Sequence, residues 1–183
     1  MKKVLTLIAN GFEEIEALGT VDILRRCGIE VAVVSVTGNE IISSSRNVKV
    51  IADGKIEDTD TNPDNWDALI LPGGQPNSDS LRDDDRVIET VKAFYNANKL
   101  TCAICAAPIA FEKAEIIKGK KATSYPGCLI DENACNFIEE RVVKDGNVIT
   151  SNGPSSACDF AFEIAKALGF GEIALEVRNG MLF

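Results

Sequence analysis

The sequence predicts an α/β fold in which helices cover both faces of a mostly parallel sheet. Short apolar runs that suit buried strands alternate with segments of helical periodicity along nearly the whole chain of 183 residues. No repeat, low-complexity tract or linker interrupts this order, so we expect one domain over residues 1–183. Sheets of this kind bind ligands beyond the carboxyl ends of their strands, where the strand order reverses.

Four apolar runs are expected to form the core of the sheet. These runs are residues 2–9, 29–36, 67–74 and 99–105. Residues 40–54 are expected to form two short strands joined by a turn near residues 45–47, and residues 120–126 another strand. The pair Asp145-Gly146 lies between two apolar runs at 141–150, which is typical of a hairpin.

Four segments have helical periodicity, and their terminal residues support the assignment. They are residues 13–27, 84–97, 106–117 and 155–170, the last of which we expect to be the final helix. The first has acidic residues in its first turn and arginines in its last, as the helix dipole favours, and Gly28 supplies a stop. Pro108 is compatible with the first turn of the third helix. A polar stretch at residues 75–85 leads into the second.

The charge and the apolar pattern exclude two classes of partner. A net charge of −9 argues against nucleic-acid binding, which requires clustered lysines and arginines. No apolar run is long enough to span a membrane, and acidic residues interrupt the N-terminal segment that a signal peptide would occupy. The 6 cysteines are scattered rather than concentrated in loops, so we expect reduced thiols and a cytoplasmic location.

The chain contains no histidine, which narrows its possible chemistry. Cys–His and Ser–His–Asp catalysis cannot form within it, and no imidazole is available to bind a metal. Any catalysis must therefore use carboxylates, thiols, phenols or backbone amides. We expect neither a metal nor a cofactor.

Cys105 is the leading candidate for a nucleophile. It is expected to be the last residue of the fourth core strand and is followed by small residues and a proline in AICAAP. A sharp strand-to-helix turn would hold its side chain over the edge of the sheet. The amides of Ala106 and Ala107 begin a helix there and could stabilise a thiolate or an oxyanion. The alternative is a buried structural cysteine, the commonest state of a free thiol.

Cys102 and Cys105 match the C-x-x-C pattern of a redox dithiol, but their placement argues against one. In a dithiol motif the first cysteine opens a helix, whereas Cys102 lies within an apolar strand. Strand residues three apart face opposite sides of the sheet, so the two sulfurs should diverge. We expect Cys102 to be a core residue. A zinc site would need a second pair of ligands that the sequence lacks.

Acidic residues and glycines follow two other core strands. Glu13, Glu14 and Glu16 lie in the first turn of a helix, where exposed acids are common. Spacing allows either Glu13 or Glu16 to turn inward, and an apolar pocket would raise the pKa of that carboxyl so that it could exchange a proton with a thiolate. Gly73 and Gly74 can bring backbone amides close to a ligand or can simply form a turn.

Six stretches, in order and spacing, resemble the ThiJ/PfpI superfamily and, within it, the group of the parkinsonism-associated protein deglycase. They are GFEEIEA (11–17), SSRNV (44–48), LPGG (71–74), AICAAP (103–108), ATSYP (122–126) and TSNGP (150–154). The resemblance covers nearly the whole chain. It implies a flavodoxin-like three-layer sandwich, related to the class I glutamine amidotransferases, that usually forms a homodimer.

The resemblance also implies roles for individual residues. It assigns the reactive cysteine to Cys105 and its partner glutamate to Glu16, which decides between the two glutamates that spacing left open. It assigns the oxyanion donors to the amides of Gly74, next to Gly73, and of Ala106.

Four further positions line the implied pocket. Arg46 matches an arginine that often comes from the other subunit, and Gly153 and Pro154 match residues of the rim. Tyr125 occupies the place of a histidine that this group usually carries, and a phenol is a poor base at neutral pH. Activity that needs the histidine is therefore in question.

Two other branches of the superfamily are excluded. The intracellular peptidases place a histidine directly after the nucleophile, where this chain has Ala106, and the glutamine amidotransferases need Cys–His–Glu. The leading hypothesis is a cysteine-dependent glyoxalase or protein deglycase that acts on 2-oxoaldehydes or their adducts, in protection against carbonyl and oxidative stress. The alternative is a redox sensor based on Cys105, or a stress-linked chaperone or binding protein, without turnover.

Overall fold

A seven-stranded sheet forms the centre of the part of the chain that the structure, a computed structural model, describes: residues 1–129, 131 and 133–183. The strands are β1 Lys3–Ile8, β2 Glu30–Ser35, β3 Ile41–Ser43, β4 Lys49–Ile51, β5 Gly54–Lys55, β6 Ala68–Leu71, β7 Leu100–Ile104, β8 Lys121–Ala122, β9 Asn136–Phe137, β10 Val142–Asp145 and β11 Val148–Ser151. The central sheet has the order β10-β11-β7-β6-β1-β2-β5. All its neighbours are parallel except β10 and β11.

Helices cover both faces of this sheet. They are α1 Thr20–Arg26, α2 Asn77–Asp83, α3 Asp85–Asn96, α4 Pro108–Lys113, α5 Ala157–Ala167 and α6 Gly171–Gly180, and a π-helical turn, Ile15–Gly19, leads into α1. None of the helices in the described ranges is long and apolar enough to cross a bilayer.

The sheet divides the apolar core into two layers. Successive residues of β1 alternate between them, so that Val4 packs on the side of α5 with Phe160, and Leu5 packs on the other side. That second side also holds Phe94 of α3 and Phe111 of α4. Each fully buried side chain of this size contributes about 1.5–3 kcal/mol to folding. The mostly parallel α/β sandwich expected from the sequence is confirmed.

The strand order fixes where a ligand can bind. The chain passes from β1 to β2 on one side and later returns to β6 on the other side of β1. The loops after β1 and β6 therefore flank the point where the order reverses, and β7 ends next to them.

Several boundaries differ from those expected. Helix α2 lies inside the polar stretch at 75–85, and α6 follows the segment that was expected to be the final helix. Apolar periodicity does not reveal either helix, because each buries few apolar side chains. The buried apolar residue is Leu81 in α2 and Ala174 in α6. The strand expected at 120–126 is limited to the two residues of β8.

Candidate active site around Cys105

Cys105 lies on a strained turn between β7 and α4. The strand ends at Ile104, one residue earlier than expected, and Cys105 has a φ of +62°. Positive φ is uncommon for residues other than glycine and costs about 1–3 kcal/mol where the surroundings enforce it. Its amide donates to Ser151 O of β11 at 2.8 Å, and its side chain is nearly buried. This backbone fits the expected elbow.

Glu16 is the glutamate that turns inward. It lies in the π-helical turn and is fully buried, and its Oε2 accepts a hydrogen bond of 2.9 Å from the amide of Gly73. Its carboxyl also interacts with the Cys105 side chain, and Oε1 has no N–H or hydroxyl donor within the described residues. Glu13 has a different role, because its Oε2 accepts the amide of Glu16 at 2.8 Å.

The environment raises the pKa of both acidic groups. Burial raises the pKa of Glu16 to about 7, with a further contribution from the charge of Glu13, while its bonds to Cys105 and Gly73 oppose the shift. Burial and then the charge of Glu16 raise the pKa of Cys105, against a hydrogen bond from the amide of Ala106. From the sequence, the amides at the start of the helix could stabilise a thiolate at Cys105. The surroundings instead favour one proton or more on the pair, because a second buried charge would face the first.

Gly73 must be a glycine because its neighbours leave no room for a side chain. A Cβ atom there would lie 2.5 Å from Glu16 Oε2 and 2.6 Å from Cys105 Cβ. Gly74 has a φ of +93°, and a Cβ atom on it would overlap the carbonyl oxygen of Gly11. The Gly73 amide is bonded to Glu16, whereas the Gly74 amide has no acceptor among the described residues.

Asn77 holds these loops together, and the sequence analysis missed it. It is fully buried, and its Oδ1 accepts the amide of Ala9 at 2.6 Å. Its Nδ2 donates to the carbonyls of Pro72 at 2.7 Å and Gly73 at 3.1 Å. One side chain thus ties the loop after β1 to the loop after β6. A polar residue closely following PGG was the signal that could have identified it.

Tyr125 forms part of the open side of the site. Its amide donates to the carbonyl of Cys105 at 2.8 Å, while its side chain is half exposed and lies over Gly153. Pro154 begins a short 3-10 turn directly after Gly153. The chain thus brings Tyr125 and Gly153 to the rim near Cys105, and Pro154 is next to them in sequence.

Arg46 is not brought to Cys105 within one chain. It is exposed on the turn between β3 and β4, and its guanidinium donates to the carbonyl of Ser45 at 3.3 Å. Glu14 secures this turn: its carboxylate accepts the Arg46 amide at 2.7 Å and hydroxyls of Ser44 and Ser45 at 2.5 and 3.0 Å. Although partial burial opposes it, these bonds lower the pKa of Glu14.

The other thiols near the elbow give one correction and one addition. Cys102 is fully buried, as expected, but it belongs to the same apolar layer as Cys105. Side chains alternate between the two faces only within a strand, and Cys105 lies beyond the strand end at Ile104, in the turn. The expected placement of the two cysteines on opposite faces is therefore wrong. All 6 cysteines are free, and the described residues hold no cluster that could bind a metal ion. Cys128, which the sequence analysis did not single out, packs partly buried against that layer.

Known proteins resemble this chain over its whole length. The family model described as DJ-1/PfpI matches residues 2–167. The chain belongs to the DJ-1/PfpI family. Among curated relatives, protein dj-1beta of Drosophila melanogaster is 36% identical over 99% of this chain and 97% of its own. The Parkinson disease protein 7 homolog of Danio rerio is also 36% identical, with the same coverage of both chains.

Solved structures of the DJ-1/PfpI family share the fold. Toxoplasma gondii DJ-1 in an oxidized state superposes with a TM-score of 0.92, at 34% identity over 100% of this chain and 99% of that one. Drosophila melanogaster DJ-1beta gives a TM-score of 0.92 at 36% identity, covering 99% and 97%. The resemblance to the ThiJ/PfpI superfamily and the flavodoxin-like sandwich that it implied are confirmed.

Proposed function

We propose that this chain is a glyoxalase- or deglycase-type enzyme that uses Cys105 to act on 2-oxoaldehydes or their adducts. One observation carries the proposal: Glu16 is completely buried against the Cys105 side chain, with a pKa raised to about 7. A carboxylate of that basicity can exchange protons near neutral pH, which an exposed glutamate does poorly. It takes the place of the imidazole that the sequence lacks.

The raised pKa of Cys105 sets the order of events. As the sulfur attacks the aldehyde carbon, the Glu16 carboxylate accepts the thiol proton, so that a free thiolate need not accumulate. The attack gives a hemithioacetal. Glu16 returns its proton to the hemithioacetal oxygen. Its carboxylate then takes the proton from the former aldehyde carbon and delivers it to the ketone carbon, while the hydroxyl proton passes to the ketone oxygen. Water hydrolyses the resulting thioester, which releases the 2-hydroxy acid and restores the Cys105 thiol. These steps use no cofactor.

Backbone amides supply the oxyanion site in this proposal. The Gly74 amide is unused, and the Ala106 amide points at the sulfur of Cys105, where the attacked carbon would be. Donors fixed in advance are worth about 2.7–4 kcal/mol each when the charge forms in a site that excludes water. The half-exposed Tyr125 ring and Gly153 would form the wall through which a small aldehyde enters.

The test is lactate formation from methylglyoxal by the reduced protein. We expect turnover in the wild type, loss to background in Cys105→Ser, and a loss of about 10²–10⁴-fold in Glu16→Gln, which removes the proton acceptor. Cys158→Ser is the matched control, since Cys158 is also a partly buried free thiol but lies on α5. Equal rates in all four proteins would exclude the proposed chemistry.

The alternative function, a redox sensor without turnover, also has a supporting observation. The oxidized DJ-1 of Toxoplasma gondii has the same fold as this chain. If the protein is such a sensor, dilute peroxide should oxidise Cys105 selectively, and the protein should form no lactate. Oxidation spread evenly over all 6 cysteines would count against it.

We also propose that the protein forms a homodimer through one apolar surface. Ile15 of the π-helical turn and Ile41, Val48 and Ile51 of the β3–β4 hairpin are exposed, and Glu14 bonds the hairpin to that turn. Grouped exposed apolar side chains are typical of an interface. Val48→Asp with Ile51→Asp should give a monomer in sedimentation experiments, whereas Leu175→Asp, on exposed α6, should leave the assembly unchanged.

A further inference from the structure

We propose that Cys128 is a resolving thiol for Cys105, so that oxidation of the site stops at an intramolecular disulfide. The inference rests on the reactive Cys105 of the proposed function. It assigns a role to a cysteine that the family motifs do not include, and it names a hydroperoxide as the chemical class that the site would react with.

Two hydrogen bonds place the two cysteines near one another. The amide of Tyr125 donates to the carbonyl of Cys105 at 2.8 Å, and the amide of Cys128 donates to the carbonyl of Tyr125 at 3.1 Å. The second bond closes a turn whose end residues have Cα atoms within about 7 Å of each other. Cys128 is therefore separated by one tight turn from Tyr125, whose amide is bonded directly to Cys105.

The side-chain environment agrees with this placement. Cys128 is partly buried against the apolar layer that contains Cys105. Burial, then the charges of Asp79 and Glu16, raise the pKa of Cys128, and burial and Glu16 raise that of Cys105, to which Cys128 also contributes. For Cys158, the other partly buried thiol, which lies on α5, the causes are burial and then the charge of Asp159. Cys128 thus shares the electrostatic environment of the site, and Cys158 does not.

The chemistry balances with two thiols and one molecule of hydrogen peroxide, the simplest hydroperoxide. The Cys105 sulfur, having passed its proton to Glu16, attacks the peroxide oxygen: the O–O bond breaks, an S–O bond forms, and the released hydroxide takes up that proton as water. The Cys128 thiol then attacks the sulfenic sulfur, which forms the S–S bond and releases a second water. Two thiols are oxidised to one disulfide, the peroxide is reduced to two waters, and an external dithiol restores the pair.

This assignment explains why the site would need a second thiol. A sulfenic acid with no neighbouring thiol proceeds to the sulfinic acid, which is not readily reversed. A disulfide needs Cα atoms about 4.4–6.8 Å apart, so the turn at 125–128 must hold Cys128 within that distance of Cys105 in the oxidised protein. That turn lies on the rim of the site, where the Tyr125 side chain is half exposed.

The test is peptide mapping after treatment with an equimolar amount of hydrogen peroxide. In the wild type we expect a linked peptide pair, Cys105 to Cys128, that disappears with dithiothreitol. In Cys128→Ser we expect the sulfinic acid on Cys105, a gain of two oxygens, at least fivefold more abundant than in the wild type. Cys158→Ser should behave as the wild type.

Two outcomes would overturn the inference. One is equal sulfinic acid on Cys105 in the wild type and in Cys128→Ser, with no linked pair. The other is an unmodified Cys105 in both proteins. The lactate assay on reduced protein separates this result from the proposed function: turnover without a linked pair removes only the resolving role, and a linked pair without turnover removes only the glyoxalase.

Discussion

Glu14 and Glu16 lie two residues apart in one turn, yet their carboxyl groups are in opposite environments. Glu14 accepts three hydrogen bonds from the turn at 44–46, which lower its pKa. Glu16 accepts one N–H bond, from Gly73, and is completely buried, which raises its pKa to about 7. Complete burial of Glu16, and the larger number of donors that meet Glu14, therefore give the two carboxyl groups opposite pKa shifts.

The two groups should shift stability with pH in opposite directions. The pKa of Glu14 is below 4.5, the ordinary value for a glutamate, so the stability it contributes is present above pH 4.5 and is lost as the pH falls through the lower folded value. The pKa of Glu16 is above 4.5, so its cost is absent in acid and grows as the pH rises from 4.5 to about 7.

Gly73→Ala should cause the largest loss of stability, because it displaces Glu16 and Cys105 together and leaves the bonds of Glu14 in place. The new Cβ would lie 2.5 Å from Glu16 Oε2 and 2.6 Å from Cys105 Cβ. We expect a loss of about 2–3 kcal/mol in the free energy of unfolding, and about 100-fold or more in lactate formation, as both side chains are displaced. Urea unfolding and the lactate assay measure the two effects.

Gly19→Ala is the control for that substitution. Gly19 has helical dihedrals, and a Cβ on it would meet nothing within 4 Å. The free energy of unfolding of the Gly19→Ala variant should rise by about 0.4–1 kcal/mol, with unchanged turnover. If Gly73→Ala behaved like Gly19→Ala, the close packing of Glu16, Gly73 and Cys105 would be wrong.

Glu16→Gln should remove the cost of burying a charge. A rise from 4.5 to about 7 corresponds to about 3 kcal/mol at pH 8, and Gln can still accept the Gly73 amide. The variant should therefore be about 3 kcal/mol more stable than the wild type at pH 8 and nearly equal to it at pH 4, in urea unfolding at both values. A variant that was less stable at pH 8 would contradict the raised pKa of Glu16.

Glu14→Gln should lower the free energy of unfolding, and by less than Glu16→Gln raises it. The amide can accept fewer strong hydrogen bonds than the carboxylate, so we expect a loss of about 1–2 kcal/mol at pH 8 that shrinks as the pH falls below 4.5. Glu89→Gln, an exposed glutamate on α3, should change little. A loss that stayed constant from pH 8 to pH 3 would show that charge is not what fastens the hairpin.

The sequence predicts the fold better than it predicts the ionisation of Cys105 and Glu16. Buried parallel strands are short continuous apolar runs, and their alternation with helices predicts a mostly parallel sheet with helices on both faces, so this part of the fold follows from local patterns. The order of the strands within the sheet does not. Spacing left Glu13 and Glu16 open, because both fit an inward face of a short helix. What separates them in the structure is the π-helical turn and the hydrogen bond from the Glu16 amide to Glu13 Oε2, neither of which the helical spacing indicates.

The elements that escaped prediction depend on contacts between distant segments. Asn77 lies in a polar stretch, and its importance appears only when the loops after β1 and β6 meet around it. The pKa of Cys105 likewise depends on how deeply the folded chain buries the sulfur and on Glu16, nearly ninety positions away in the sequence. Local patterns carry no information about such burial.

Substitutions of Tyr125 should have the smallest effects. They test whether Glu16 transfers the proton without a contribution from side chains on the rim. The amide of Tyr125 contacts Cys105, but its side chain is half exposed over Gly153, and its hydroxyl has no partner among the described residues. Tyr125→Phe should therefore change the free energy of unfolding by less than about 0.5 kcal/mol. Tyr125→His in the Glu16→Gln background should recover less than about tenfold of turnover, far below the 10²–10⁴-fold of a positioned proton-transfer group. Full recovery of turnover by that histidine would show that a group on the rim can transfer the proton in place of the buried Glu16 carboxyl. The contrast between Glu14 and Glu16 would then not account for turnover.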